Sequence, residues 1–165
     1  MKLKVEERPP YSGLEYALEA TALSLVGLQL YVLFTSLPEL PDQVPVHFGA
    51  GGEPDRFGPT EALWLLPGIS VALFLLLAAV ARYSKSYNVP WRVPEESRTR
   101  QFRLARTLVV AMQVYAAALF TYITWQTVRI ALGEAGGLGG GFVAAAVLIP
   151  LGMIAIYVTL ARQNL

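Results

Sequence analysis

His47 is the single histidine of the chain, and Glu53 and Asp55 follow it closely across a turn-forming stretch, Gly49-Ala50-Gly51-Gly52. One neutral imidazole and two carboxylates could fill three positions around zinc or manganese. The same groups could form an acid–base pair. Set against this, His47 can bond to loop backbone while Asp55 caps a turn and pairs with Arg56. One imidazole with no thiolate is a thin donor set, and no nucleophile accompanies it. The hydrogen-bonded loop is the preferred reading, with no metal, cofactor or catalytic group expected. His47, Phe48, Glu53, Asp55 and Arg56 are instead expected to form a binding surface.

Tyr115, Tyr122, Gln126 and Arg129 recur at helical spacing and share one face of a long apolar segment. An ionisable group at such depth marks a functional site or a structural pair. Arg129 either snorkels to the interface, pairs with Glu53, Asp55 or Glu61, or lines a substrate path. Glu15 and Glu19, an i, i+4 pair, are expected to meet Arg82 or Arg106. Gln29 lies further along the same segment, and Gln113 can bridge helices. Pro94-Glu95-Glu96 reads as a helix start, with Glu96 and Arg100 spaced to pair. Arg98, Arg100, Arg103 and Arg106 follow without a helix breaker. They either anchor the chain to anionic lipid or dock a cytosolic partner.

These residues must be carried by an unusual chain. Its 165 residues are 55% hydrophobic and 15% charged, with net charge +1 and no cysteine. A soluble domain averages about 45–50% apolar and about 25% charged. Disulfide scaffolds, disordered regulators and basic nucleic-acid binders are excluded. Four stretches, residues 17–37, 62–81, 107–132 and 141–161, are long and apolar enough to cross a bilayer as helices. Residues 1–8 mix charges ahead of Pro9 and Pro10, so the first apolar run reads as a retained span. Pro150 falls inside the fourth span, where proline removes a helical donor. Ala144, Ala145 and Ala146 there would permit close packing within or between copies. The Gly-rich run 136–141 has no Lys or Ser/Thr of a phosphate loop and serves as a short connection.

Charge sets the expected orientation. Lys2, Lys4 and Arg8 precede the first span, seven basic residues from Arg82 to Arg106 follow the second, and Arg162 ends the fourth. Only Arg56 and Arg129 fall elsewhere. Residues 38–61 carry a net charge of −4 and residues 82–106 a net charge of +5. The positive-inside rule then puts both termini and the basic connection in the cytoplasm. Residues 38–61 become an extracytoplasmic cap. Pro38, Pro41 and Pro45 keep its first part extended, Val44, Val46 and Phe48 alternate as in a short strand, and the glycines reverse the chain.

The cap also carries a resemblance. Leu40–Gly58, L-P-D-Q-V-P-V-H-F-G-A-G-G-E-P-D-R-F-G, resembles the signature of a bacterial membrane-protein family of unknown function. The same module forms the N-terminal part of SdpI-type toxin-immunity proteins. The run Tyr87–Arg106 is similar to shorter members of that family. The resemblance implies a membrane protein that protects against a toxin and acts as a signal receptor, holding a cytosolic autorepressor at the membrane. A second SdpI-type motif, N-x-x-x-G-I-R-x-P-W, is met here only by Asn88-Val89-Pro90-Trp91-Arg92, a partial echo.

The expectation is thus an all-α integral membrane protein of the cytoplasmic (inner) membrane. It has four transmembrane helices and a short irregular or hairpin cap between the first two. Its partners would be the lipid bilayer, a cytosolic regulator, an extracytoplasmic peptide and a second copy of itself, with no nucleic acid. A transporter or accessory subunit is the alternative function, and a hydrolase or metal site on the loop is a third.

Overall fold

The computed structural model describes residues 2–4 and 8–165. Residues 1 and 5–7, and the side chains of Lys2, Leu3 and Lys4, lie outside the described residues. The elements run β1 (Lys2–Lys4), α1 (Gly13–Ser36), β2 (Gln43–Phe48), β3 (Pro54–Pro59), α2 (Leu65–Tyr83), β4 (Ser86–Asn88), α3 (Arg98–Ala131) and α4 (Phe142–Gln163). Among the described residues four helices are long and apolar enough to cross a membrane. The chain is a multi-pass, predominantly helical membrane protein.

Local chemistry decides where the helices begin and end. Ser12 opens α1 with a capping box: its hydroxyl accepts the Glu15 N–H, and the Glu15 carboxylate accepts the Ser12 N–H at 2.8 Å. Such a cap contributes about 1 kcal/mol and starts the helix four residues before the apolar run. Pro38 and Pro41 follow the end of α1. A turn of 3-10 helix at Thr60–Trp64 leads into α2, whose first turn accommodates Pro67. At 34 residues α3 is about 50 Å long, well beyond a hydrocarbon core about 30 Å thick. The basic segment and the third span are therefore one helix.

α3 is the hub, packed against α1, α2 and α4. The interior is small or polar. Ala22 and Val26 of α1 meet Ala117 of α3, while Gln29, Ser70, Gln113, Thr121 and Thr124 are also buried. Large apolar side chains such as Leu23, Phe34, Leu75, Leu76, Leu148 and Ile156 face outward. That inversion is what a bilayer selects: lipid solvates the large apolar groups, and close helix contact with hydrogen bonding joins the helices. The Gln29 amide donates to Thr124 Oγ1 at 2.9 Å, Gln113 donates to the Phe74 carbonyl at 3.1 Å, and Thr121 donates to the Leu25 carbonyl at 2.9 Å. α4 stands apart, and among the described residues it buries Ala161 alone.

Both ends of the bundle are closed by small β structures. At one end β2 and β3 form an antiparallel hairpin with Val44 opposite Gly58 and His47 opposite Arg56, irregular around Val46. A Cβ on Gly58 would lie 3.0 Å from the Val46 side chain, so the irregularity relies on glycine there. Val44 seats the hairpin on Leu33 and Leu63. At the other end, the basic end, β1 pairs with β4 with Leu3 opposite Tyr87. Beside them Val89, Val93 and Phe102 form a separate small core. The connection 84–97 is a packed plug.

Candidate functional site

Three places hold the residues singled out for chemistry. On the hairpin, His47 Nδ1 lies 2.6 Å from Asp55 Oδ1, with side chains 56% and 51% exposed. That contact fits an Nδ1–H donating to the carboxylate. Arg56, opposite His47 in register, completes a shallow recess of about 280 Å³. Glu53 enters through its backbone, where its carbonyl accepts the Gly49 N–H at 2.9 Å. Phe48 is half-buried beside the turn. Among the described residues no three His, Cys, Asp or Glu gather as metal ligands. The arrangement presents an oriented imidazole, a carboxylate and a guanidinium on one exposed surface, which suits recognition of a polar or charged partner.

The hairpin is anchored on two sides. The Thr60 hydroxyl donates to the Pro41 carbonyl across its base. At its tip the Gly52 carbonyl accepts the N–H of Leu138, at 2.7 Å, from the connection between α3 and α4. Gly52 adopts φ +83°, and a Cβ on Gly137 would come within 2.7 Å of the Gly52 carbonyl oxygen. That close approach requires glycine at 137.

The stripe on α3 holds this same connection. Tyr122 donates to the Leu138 carbonyl at 2.7 Å and Gln126 to the Gly137 carbonyl at 3.2 Å. Arg129 donates to Gln126 Oε1 at 3.1 Å, lies over the Trp125 ring at 4.9 Å, and pairs with Glu134 at 3.5 Å. Of the alternatives open to Arg129, pairing is seen, but with Glu134 and not with Glu53, Asp55 or Glu61. α3 ends at Ala131 and the chain reverses at Gly133, with φ +76°, which brings Glu134 back to the last helical turn. The guanidinium also sits where a helix C-terminus favours positive charge. Tyr115, about two turns deeper on the stripe than Tyr122, donates to the Ala146 carbonyl of α4.

At the basic end the four arginines separate. Arg106 is 2% exposed and Glu15 is 1% exposed; Arg106 donates to both oxygens of that carboxylate at 2.8 and 2.9 Å. It also donates to the Pro9 and Pro10 carbonyls at 2.6 and 2.8 Å and lies 4.6 Å from the Tyr11 ring centroid. Arg106 therefore leaves the expected docking set, because its charge and donors are consumed inside the fold. Arg82 pairs with Glu19, donating at 2.6 Å. Both glutamates thus have arginine partners drawn from the expected pair. Arg98 lies 3.5 Å from Glu95, in place of the expected Glu96–Arg100 contact, whereas Arg100 and Arg103 are exposed. Burial raises the Tyr11 phenol above its ordinary value and pushes Tyr87 up to about 12.

Sequence reasoning passed over Tyr11, which packs on Arg106, and Gln101, whose amide donates to the Ala161 carbonyl at 2.6 Å and ties down the end of α4. The Ser-x-x-Glu capping signature at Ser12 was available to place Glu15 at a helix start. Nothing comparable announced Gln101.

Residues 25–71 match a domain of unknown function (DUF1648), a stretch running from mid-α1 through the hairpin into α2. An uncharacterized protein of Archaeoglobus fulgidus is 41% identical over 81 residues, covering 44% of this chain and 44% of that protein. The chain therefore spans less than half the length of this curated relative. No solved structure matches. These similarities name no activity.

Proposed function

We propose that this chain is a non-enzymatic, two-sided binding protein of the cytoplasmic membrane. Its hairpin faces outward to capture a peptide, and its basic end faces the cytoplasm to hold a soluble regulator, as the SdpI-type resemblance implies. The observation that carries the reading is the contrast between polar groups that tie the helices and their connections together and polar groups exposed at the two ends. Glu15, Glu19, Arg82, Arg106, Gln126 and Arg129 all hold the fold together. His47, Asp55 and Arg56 stand exposed on an anchored hairpin, and Arg100 and Arg103 stand exposed at the opposite end. A fixed hairpin loses little freedom on binding, which favours recognition. The match over residues 25–71 spans the hairpin with parts of both flanking helices, and so marks that unit as one that recurs in other proteins. A transport path has less to stand on, since Arg129 is occupied by Glu134 and Gln126.

A mild-detergent pull-down from native membranes tests the reading. Wild type is compared with Arg100→Ala/Arg103→Ala and with His47→Ala/Arg56→Ala. The expected result is a soluble protein retained by wild type and the hairpin variant and lost from the arginine variant. Equal recovery in wild type and the arginine variant overturns the regulator arm. Recovery of membrane subunits alone in all three samples favours an accessory subunit.

A further inference from the structure

Between α3 and α4, at the hairpin end, lies a groove of about 440 Å³ walled by Tyr115, Ala118, Tyr122, Phe142, Ala145 and Ile149. We infer that this groove is a seat for one acyl chain of a membrane phospholipid. Its two phenols are already engaged, Tyr115 with the Ala146 carbonyl and Tyr122 with the Leu138 carbonyl. No hydroxyl on its wall is left seeking a partner, so the complementary occupant is apolar. Both walls belong to membrane-spanning helices, and the groove is open at Ala118, Ala145 and Ile149, which are exposed. It is continuous with the surface that the bilayer already covers.

The groove is also framed against collapse. The Tyr115 hydrogen bond fixes α4 at mid-depth, and Tyr122 stacks on Phe142 at 5.2 Å and 16° near the top. Ala118 and Ala145 are small where a larger side chain would fill the gap. Protein interiors otherwise close to near-crystalline density, so a preformed gap of this size at hydrocarbon depth is completed by hydrocarbon. The glycines at 139–141 leave its upper mouth free of side chains, where a headgroup can emerge.

The test reconstitutes the full chain in phosphatidylcholine vesicles carrying a diazirine in one acyl chain, irradiates them, and maps adducts by peptide mass spectrometry. Adducts at Ala118, Ala145 and Ile149 are expected to exceed those at Leu76 and Leu151, which are exposed away from the groove, by several-fold. Ala118→Leu/Ala145→Leu fills the groove and should bring adducts on the seam down to the Leu151 level at unchanged helical content. Ala118→Val gives the same direction with less disturbance. Uniform labelling of all exposed positions in wild type overturns the inference. So does seam labelling that the filling variants leave unchanged.

Discussion

The Tyr115 hydroxyl on α3 donates to the Ala146 carbonyl on α4, and Ala146 lies four residues before Pro150. In a regular helix that carbonyl would accept the N–H of residue 150, which proline lacks. A side chain from the neighbouring helix thus satisfies the group that the proline releases, as a bilayer interior demands. Tyr115 is at once the repair of α4 and one of its few polar ties to the bundle. Because the carbonyl is already satisfied, the Pro150 position needs no hinge to explain it.

Tyr115→Phe should loosen α4. The expected loss is about 1 kcal/mol, in the range of interhelical hydrogen bonds in membranes, read as a lower thermal midpoint in detergent. Pro150→Ala restores the helical donor, so the double variant Tyr115→Phe/Pro150→Ala should lose less than the two single changes combined. Strict additivity would show that the two residues are not coupled.

Breaking the buried pair should cost far more. Arg106→Met leaves Glu15 with its strongest donors gone in a closed environment, and about 3–5 kcal/mol is expected. Glu15→Gln/Arg106→Met should recover part of that loss. Unfolding of the purified protein in rising SDS measures both, and a single variant as stable as wild type would remove the pair from the account.

Gly137→Ala should detach the hairpin tip, since the new Cβ would lie 2.7 Å from the Gly52 carbonyl oxygen. Gly136→Ala meets nothing within 4 Å and is the control. Faster hydrogen exchange at the Leu138 amide in the first variant alone is the expected outcome. Unchanged protection would mean the tip is held elsewhere.

Alkaline conditions should weaken the plug at the basic end. Burial favours the neutral Tyr87 phenol and raises its folded-state value from 10.0 to about 12. The folded protein therefore keeps this proton to higher pH than the unfolded chain does. The stability it contributes is whole below pH 10.0 and is lost as pH climbs toward about 12. Tyr87→Phe should flatten that alkaline decline, followed by thermal melts across this range. An identical decline in the variant would assign it to another group.

The four spans were legible because uninterrupted apolar runs leave a chain in lipid no choice but helix. The observed helices begin and end within a few residues of those runs, except where Ser12 and the basic segment lengthen α1 and α3. Which partner each charge takes was less legible. Arg106 and Arg103 look alike in sequence, yet the first turns toward Glu15 and the second outward, because α3 packs along one face only. Arg129 finds Glu134 only because Gly133 reverses the chain. The pairing of β1 with β4 joins distant segments through backbone bonds, which leave no mark in side-chain pattern. The hairpin trio was half legible: His47 and Asp55 meet as neighbours across a turn, whereas Glu53 contributes its carbonyl to that turn.

Sidedness decides the central claim, that a binding hairpin faces outward while the arginine turn faces the cytoplasm. The chain has no cysteine, so single cysteines can be read without background. Gly51→Cys has open space around it on the hairpin, and Arg100→Cys sits exposed at the basic end. A membrane-impermeant maleimide applied to intact cells should label Gly51→Cys at once and Arg100→Cys only after the membrane is opened. Labelling of Arg100→Cys in intact cells, with Gly51→Cys protected, would contradict the account.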